Sequence, residues 1–255
     1  MKVSVITPTY QQRESNLRNL YACFQSQTHA EKELLLFDDS PQPSEFFQAL
    51  SDPNVTYIYS DRRLSTGEKR NLLIQQATGE VIAHFDDDDY YAPNYLERSL
   101  TVLNDYDFLT LSGWYAYAQN EQSLFYWDTT KVGKCHFKVA PREELEVIYT
   151  DGISPEEEAE WVEPTLWGFG FSYVYRKRIF DTLKFNDVHF GEDYQLVQQI
   201  IHSGHQAAYW ADQEGLVLHV IHQKNISLIY PQYVLPTFLL VPIFGQAIEQ
   251  YIKHD

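Results

Sequence analysis

Positive charge is scarce in this chain. Its 19 lysines and arginines stand against 36 aspartates and glutamates, a net charge of −17. Phosphate backbones are held by clustered Lys and Arg, so this balance excludes nucleic acid as a partner. It also disfavours adsorption to anionic lipid. Cysteine is nearly missing: Cys23 and Cys135 lie far apart, show no CxxC or Cys/His ligand spacing, and read as free thiols of a reducing compartment. The dinucleotide fingerprint GxGxxG and the phosphate loop GxxxxGK(S/T) are both absent, so any nucleotide must be held another way. No secretory leader is visible, because Lys2 is followed at once by the short strand-like run Val3-Ser4-Val5-Ile6. A cytoplasmic protein is expected, with membrane association left open by one segment. Between Asn225 and Ile248 there is no charged residue, a length that would permit a span. Pro231, Pro236 and Pro242 interrupt it, however, and each removes a backbone donor that lipid cannot replace. The segment is expected to be a packed C-terminal extension, a homodimer surface or a peripheral membrane contact.

What is present is enough apolar material, 44% of 255 residues, for a sizeable core. Strand and helix alternate through the first ninety residues. Strands are expected at Lys2 to Thr7, Glu33 to Phe37, Val55 to Tyr59 and Val81 to Phe85. Helices are expected at Ser15 to Gln27 with Ser15 as N-cap, at Phe46 to Leu50, and at Gly67 to Ala77 with Leu72, Leu73 and Ala77 on one face. This is the pattern of an α/β protein with a mostly parallel sheet and right-handed crossovers, a Rossmann-like half. The stretch that organises the chain is Val81-Ile82-Ala83-His84-Phe85 followed by Asp86, Asp87, Asp88 and Asp89. Ligands of open α/β sheets bind just past the carboxyl edge of the strands, where this quartet falls. Four adjacent carboxylates repel one another. Water on an exposed turn offsets that, or a divalent cation does, since hard oxygen ligands suit Mg²⁺ or Mn²⁺.

Further on, Pro93 to Leu103 reads as a helix, and Trp114 to Tyr117 with Leu124 to Trp127 as aromatic strands of a hairpin turning at Gln119 to Gln122. Arg142 to Glu163, rich in acids, reads as a solvated excursion or lid. An alternating run from Phe171 to Tyr175 follows. Gly191-Glu192-Asp193 then precedes a helix bearing Leu196, Val197, Ile200 and Ile201, which Gly204 ends. Gly215 to Ile221 is a further strand. No repeat or linker divides the chain.

These blocks, in this order, resemble the family 2 glycosyltransferases, which have the GT-A fold. The resemblance rests on Val3-Ser4-Val5-Ile6-Thr7-Pro8-Thr9-Tyr10, on Leu36-Phe37-Asp38-Asp39-Ser40, and on Gly67, Arg70 and Asn71 with Ala77-Thr78-Gly79-Glu80. It continues in Phe85-Asp86-Asp87-Asp88-Asp89 with Pro93, similar to a DxD signature, in Trp167-Gly168-Phe169-Gly170 with Arg176-Lys177, and in Gly191-Glu192-Asp193 with Leu196. It implies a GT-A domain over 1–227, with a nucleotide-binding half (1–105) and a smaller mixed acceptor-side half (106–227), and an apolar extension over 228–255. The implied activity is transfer of one sugar, with inversion, from a nucleotide-diphosphate sugar of UDP type to a hydroxyl of a saccharide, lipid-linked or protein acceptor. Pro8, Thr9, Tyr10, Asp39, Arg70, Asp86 and Asp87 would hold the donor. Asp88 and a late histidine, His222 with His219 as competitor, would hold Mg²⁺ or Mn²⁺. Trp167, Gly168 and Glu192 would face the acceptor, with Asp193 as general base. A QxxRW motif, typical of polymerising relatives, is missing, which favours single transfer.

Blander readings accompany each residue. Glu192 and Asp193 also suit a helix N-terminus, Arg70 a helix arginine paired with an acid, and Trp167 a core position. Two rival functions remain: a GT-A protein that binds sugar or nucleotide without turnover, and a phosphatase of haloacid-dehalogenase type, in which the first Asp after a strand is the nucleophile.

Overall fold

The computed structural model describes residues 1–11, 14–225 and 228–252; Ile226 and Ser227, at the end of the His222 block, lie outside the described residues. The first half alternates as β1 (Val3–Thr9), α1 (Glu14–Ser26), β2 (Lys32–Asp38), α2 (Glu45–Ala49), β3 (Val55–Tyr59), α3 (Thr66–Gln76) and β4 (Val81–His84). Then come β5 (Tyr90–Tyr91), α4 (Tyr95–Leu103), β6 (Phe108–Ala118), β7 (Ser123–Asp128), β8 (Cys135–Lys138), β9 (Glu146–Tyr149) and α5 (Pro155–Trp167). The chain closes with β10 (Val174–Arg176), α6 (Glu192–His202), β11 (Ala207–Ala211), β12 (Val217–Ile221), β13 (Tyr233–Leu235), α7 (Leu240–Phe244) and α8 (Glu249–Ile252). Two compact units result. Unit 1 holds Met1–Asp88, Pro93–Thr110 and Trp167–Tyr209; unit 2 holds Asp89–Ala92, Leu111–Leu166 and the chain from Trp210.

In unit 1 the strands β3, β2, β1 and β4 run parallel. β10 is antiparallel to β4 and to the first residues of β6. Parallel strands covered on both faces are apolar throughout, and Val5, Ile6, Leu34, Leu36, Val81 and Ile82 are indeed fully buried. Ser65 starts α3 with a capping box: its hydroxyl accepts the Glu68 N–H while the Glu68 carboxylate accepts the Ser65 N–H. The buried face of α3 is Gly67, Lys69, Arg70, Leu73 and Ile74. Leu72, expected on that face, is exposed. Gly67 lies so close to the chain at Asn186 that an added Cβ would sit 1.8 Å from the Asn186 carbonyl oxygen. Positions 70, 73, 74 and 77 make the i, i+3, i+4, i+7 stripe of one helix face, and Leu72 falls outside it.

In unit 2, β6 pairs antiparallel with β7, placing Trp114 opposite Trp127. β12 lies parallel to β6 and antiparallel to β5, and β13 pairs with β7. Ile229, Leu240, Phe244, Ile248 and Tyr251 are buried, so the uncharged C-terminal stretch packs within this unit. Among the described residues no helix is long and apolar enough to cross a membrane.

Two local expectations change. α1 begins at Glu14, so Ser15 lies inside the helix; the Glu14 carboxylate accepts hydrogen bonds from the Ser44 hydroxyl and the Glu45 N–H. The stretch from Arg142 to Glu163 is not an excursion. It contains β9, paired with β8, and most of α5. Ser154 and Glu157 form a reciprocal cap, and Glu156, Glu157 and Glu158 occupy the first turn of α5, where the helix dipole favours negative charge.

Glu33 stitches β2 to β1 and to the turn before β4. It accepts from Lys2 Nζ at 2.7 Å, Ser4 Oγ at 2.6 Å, Thr78 N at 2.6 Å and Thr78 Oγ1 at 2.8 Å. Partial burial raises its pKa, but these donors outweigh it and hold the carboxyl at about 2, below the ordinary 4.5. A depressed folded pKa contributes stability that is complete above the unfolded value and is lost as pH falls through the folded one. Glu33→Gln should therefore cost about 1–2 kcal/mol at pH 7, discounted for solvent screening. The gap between variant and parent, read from urea midpoints, should close between pH 4.5 and 2.

Candidate active site

The acidic quartet leaves the end of β4 with alternating burial. Asp86 and Asp88 are partly exposed, whereas Asp87 and Asp89 are buried. Asp87 turns inward, where its carboxylate accepts the Thr9 hydroxyl. Burial pushes the Asp87 carboxyl well above the usual range and neighbouring Asp88 pushes it further; the Thr9 bond and Lys69 oppose them. Asp89 is committed within unit 2, accepting from His219 Nδ1 at 2.8 Å and from the Val220 N–H at 2.8 Å. Within unit 1, one carboxylate oxygen of Asp86 and one of Asp88 lie within 4.8 Å of each other, hard donors of the kind Mg²⁺ or Mn²⁺ takes. His222, in unit 2, accepts the Lys224 N–H at its Nδ1 at 3.1 Å.

Beside the turn after β2, the buried Asp39 accepts from Lys69 Nζ at 2.9 Å, Arg63 Nη1 at 2.6 Å and the Leu64 N–H at 2.8 Å. Lys69 also donates to the Thr9 carbonyl at 3.0 Å. Burial lowers the Lys69 pKa, and Asp39 counters it. The Arg63 guanidinium lies 3.3 Å from the centre of the Tyr10 ring. Pro8, Thr9, Tyr10 and Asp39 lie together at the ends of β1 and β2. Arg63 and Lys69 were not expected there. The available signal was Lys69 itself, a lysine four residues before Leu73 on the buried face of α3.

The second gathering lies where α3 meets α6. Arg70 is buried and donates to Glu192 Oε1 at 2.7 Å, with Asp193 Oδ2 at 3.9 Å. Burial works against its charge, but Glu192, then Asp193, then Asp86 more than restore it, so its pKa is raised. Burial pushes the Glu192 carboxyl up, with Arg70 pulling the other way. Asp193 Oδ2 accepts the Gly170 N–H at 2.9 Å. Gly170 has no room for a side chain: a Cβ would lie 2.6 Å from Asp193 Oδ2 and 3.0 Å from Arg70 Nη2. Trp167 is half-buried, with its ring edge-on to Tyr209 at 5.7 Å, and Gly168 follows it. Chemically, unit 1 offers a carboxylate anchored at one oxygen, a buried cation beneath it, and outward carboxylates at the end of the neighbouring strand.

Solved structures of similar fold define the class first. The chain superposes on TarS 1–349 of S. aureus in complex with UDP with a TM-score of 0.58, at 17% identity, over 87% of this chain and 61% of that one. A mannosyltransferase of Pyrobaculum calidifontis, in complex with GDP-Man and Mn²⁺, gives a TM-score of 0.59 at 16% identity, over 88% of this chain and 58% of that one. The fold is GT-A. The profile of "Glycosyl transferase family 2" matches residues 4–154, and the chain belongs to that family. WcaA of Escherichia coli strain K12, named for colanic acid biosynthesis, is 32% identical over 98 residues, 37% of this chain and 35% of that protein. The E. coli enzyme WfgD, named as a UDP-Glc:alpha-D-GlcNAc-diphosphoundecaprenol beta-1,3-glucosyltransferase, is 29% identical over 103 residues, 40% of each chain. The aligned part thus spans well under half the length of these relatives.

Removing one partner of a buried ion pair strands the other. Glu192→Ala should lower unfolding free energy by roughly 3–5 kcal/mol, measured by urea denaturation. A change within 0.5 kcal/mol, about that of an ordinary surface substitution, would show that Asp193 alone satisfies Arg70.

Proposed function

We propose that this protein is a metal-dependent, inverting glycosyltransferase that moves one sugar from a nucleoside-diphosphate sugar to an acceptor hydroxyl. The observation that carries the reading is Arg70, a buried guanidinium that donates to Glu192 Oε1 at 2.7 Å and lies 3.9 Å from Asp193 Oδ2. The carboxylate suited to take a proton, Asp193, accepts the Gly170 N–H, and the Gly170 carbonyl is bonded by His84, two residues before the Asp86 of the turn suited to bind a cation.

In this reading Tyr10, Thr9, Pro8 and Asp39 receive the nucleoside, and Asp86 and Asp88 hold the cation. A divalent cation bound there supplies positive charge against the diphosphate and its departure. Asp193, with Oδ2 engaged by Gly170, takes the proton of the acceptor hydroxyl as that oxygen bonds to the anomeric carbon and the bond from that carbon to the diphosphate breaks. A single displacement from the opposite face inverts the centre. Arg70, donating to Glu192, serves as the counter-charge beneath the base, and Trp167 and Gly168 belong to the acceptor side. The UDP bound to a neighbour of the same fold and the donor named for WfgD support a UDP-linked sugar. The WfgD name also supports a lipid-linked saccharide as acceptor in glycan assembly. Binding without turnover is the second reading, and removal of the Asp193 carboxylate separates the two.

UDP should raise the melting temperature only with Mn²⁺ or Mg²⁺ present, by the equivalent of about 2.7 kcal/mol at 100 times Kd; equal stabilisation in EDTA would remove the cation from the scheme. Two substitutions should act oppositely. Asp88→Asn should abolish the Mn²⁺-dependent shift with little effect on the free protein. Asp89→Asn should lower the melting temperature of the free protein, by weakening the tie to His219 and Val220, and keep the shift.

Asp193→Asn should bind UDP and Mn²⁺ normally yet lose transfer by roughly 10²–10⁴-fold in kcat. Near-normal transfer by this variant would end the candidacy of Asp193, and the binding-only reading would stand if the wild type also fails to turn over.

A further inference from the structure

His84 is the last residue of β4, and its ring is buried in unit 1 among Tyr173, Tyr175 and Phe185. It reaches the loop before β10. Its Nδ1 lies 2.9 Å from the Gly170 carbonyl oxygen and its Nε2 lies 3.0 Å from the Tyr175 hydroxyl. A carbonyl only accepts, so Nδ1 carries the proton and donates. In the neutral ring Nε2 is then the acceptor, and the Tyr175 hydroxyl donates to it.

The bonds therefore run in one direction. Tyr175 donates to His84, His84 donates to the Gly170 carbonyl, and the Gly170 N–H donates to Asp193 Oδ2. The two Gly170 bonds are made by the peptide groups on either side of its Cα, so together they fix that residue's backbone. Glycine there lets the backbone lie directly against the carboxylate and Arg70. No other role for His84 is visible, because both ring nitrogens are used and the side chain is closed to solvent.

We infer that His84 is a positioning residue for glycosyl transfer, holding the Gly170 peptide so that Asp193 keeps Oδ2 bonded and presents Oδ1 to the acceptor hydroxyl. The inference rests on the proposed reading of Asp193 as the base. Its class of action is orientation: a displacement of about 1 Å in a reacting group costs on the order of 100-fold in rate. Because His84 also ends the strand that carries Asp86 and Asp88, a single side chain ties the register of the cation-binding turn to the orientation of the base.

The test follows Mn²⁺-dependent release of UDP from UDP-glucose and UDP-GlcNAc, with water as acceptor, beside the UDP–Mn²⁺ melting shift. His84→Leu should lower kcat roughly 10- to 100-fold while the donor KM and the melting shift stay near wild type. His84→Asn, whose amide N–H replaces Nδ1–H, should recover most of that loss. In an Asp193→Asn background His84→Leu should cost nothing further, since it acts through that carboxylate. Gly170→Ala gives an independent arm: its methyl displaces the carboxylate, and turnover should fall with UDP binding retained. Imidazole ¹⁵N resonances of the wild-type protein should show a protonated Nδ1 and an unprotonated Nε2 at His84. The opposite tautomer would overturn the inference without any assay of turnover. So would a His84→Leu variant with full kcat beside an inactive Asp193→Asn, or an equal loss from His84→Leu with and without Asp193. If Asp193→Asn itself turns over normally, the reading of the base has failed and the inference goes with it.

Discussion

Arg70 has almost no contact with water, and a guanidinium keeps its proton in any surroundings a protein provides. Unit 1 must therefore place negative charge around it, since a buried unpaired charge costs several kcal/mol. Much of the local architecture follows. Glu192 is buried at the start of α6 to meet the cation, and Asp193 is drawn to the same side one residue later. Gly170 must lack a side chain so that the loop can lie against Asp193 and Arg70. Gly191, at φ +79°, supplies the left-handed turn that lets α6 begin there. The stability of this region and the orientation of the candidate base are thus two aspects of a single ion pair. The strong coupling also explains why acids at a helix start, ordinary in isolation, are here both structural and poised for chemistry.

The aspartate quartet shows how identical letters divide their labour. The four aspartates lie on the turn that follows β4, and their burial alternates. Asp86 and Asp88 keep contact with solvent, while Asp87 and Asp89 turn into the protein. The inward pair needs partners, and the structure provides them: Thr9 for Asp87, His219 and Val220 for Asp89. The run is acidic throughout, yet half of it belongs to folding.

This division marks the border of what the sequence discloses. The parallel half was legible because strands buried on both faces leave apolar runs, and because each run ends in turn-forming residues. The acidic blocks and Gly170 were legible through their order along the chain. Lys69 and His84 were not, since a polar residue on an apolar face or strand shows its purpose only when its partners, Asp39 and Gly170, arrive from distant parts of the chain. The region from Arg142 to Glu163 was misjudged for a different reason. Its acids suit solvent, but they suit the first turn of a helix equally, and the Ser154–Glu157 cap that decides the matter is a four-residue pattern within the run. Leu72 was misassigned because the buried face of α3 includes the charged Lys69 and Arg70, whose partners Asp39 and Glu192 are distant in sequence and leave no trace in local hydrophobicity.

The lysine beneath Asp39 has a practical consequence. Its side chain is 4% exposed, and its amine is engaged by the Asp39 carboxylate and the Thr9 carbonyl. Amine-reactive reagents attack only a free, solvent-exposed nitrogen, so Lys69 reacts through transient opening of the turns after β1 and β2, whereas surface lysines react directly. Its labelling rate, followed by mass spectrometry, is a clock for that opening, carried by the native chain without an added probe. Any ligand that holds those two turns shut will slow it.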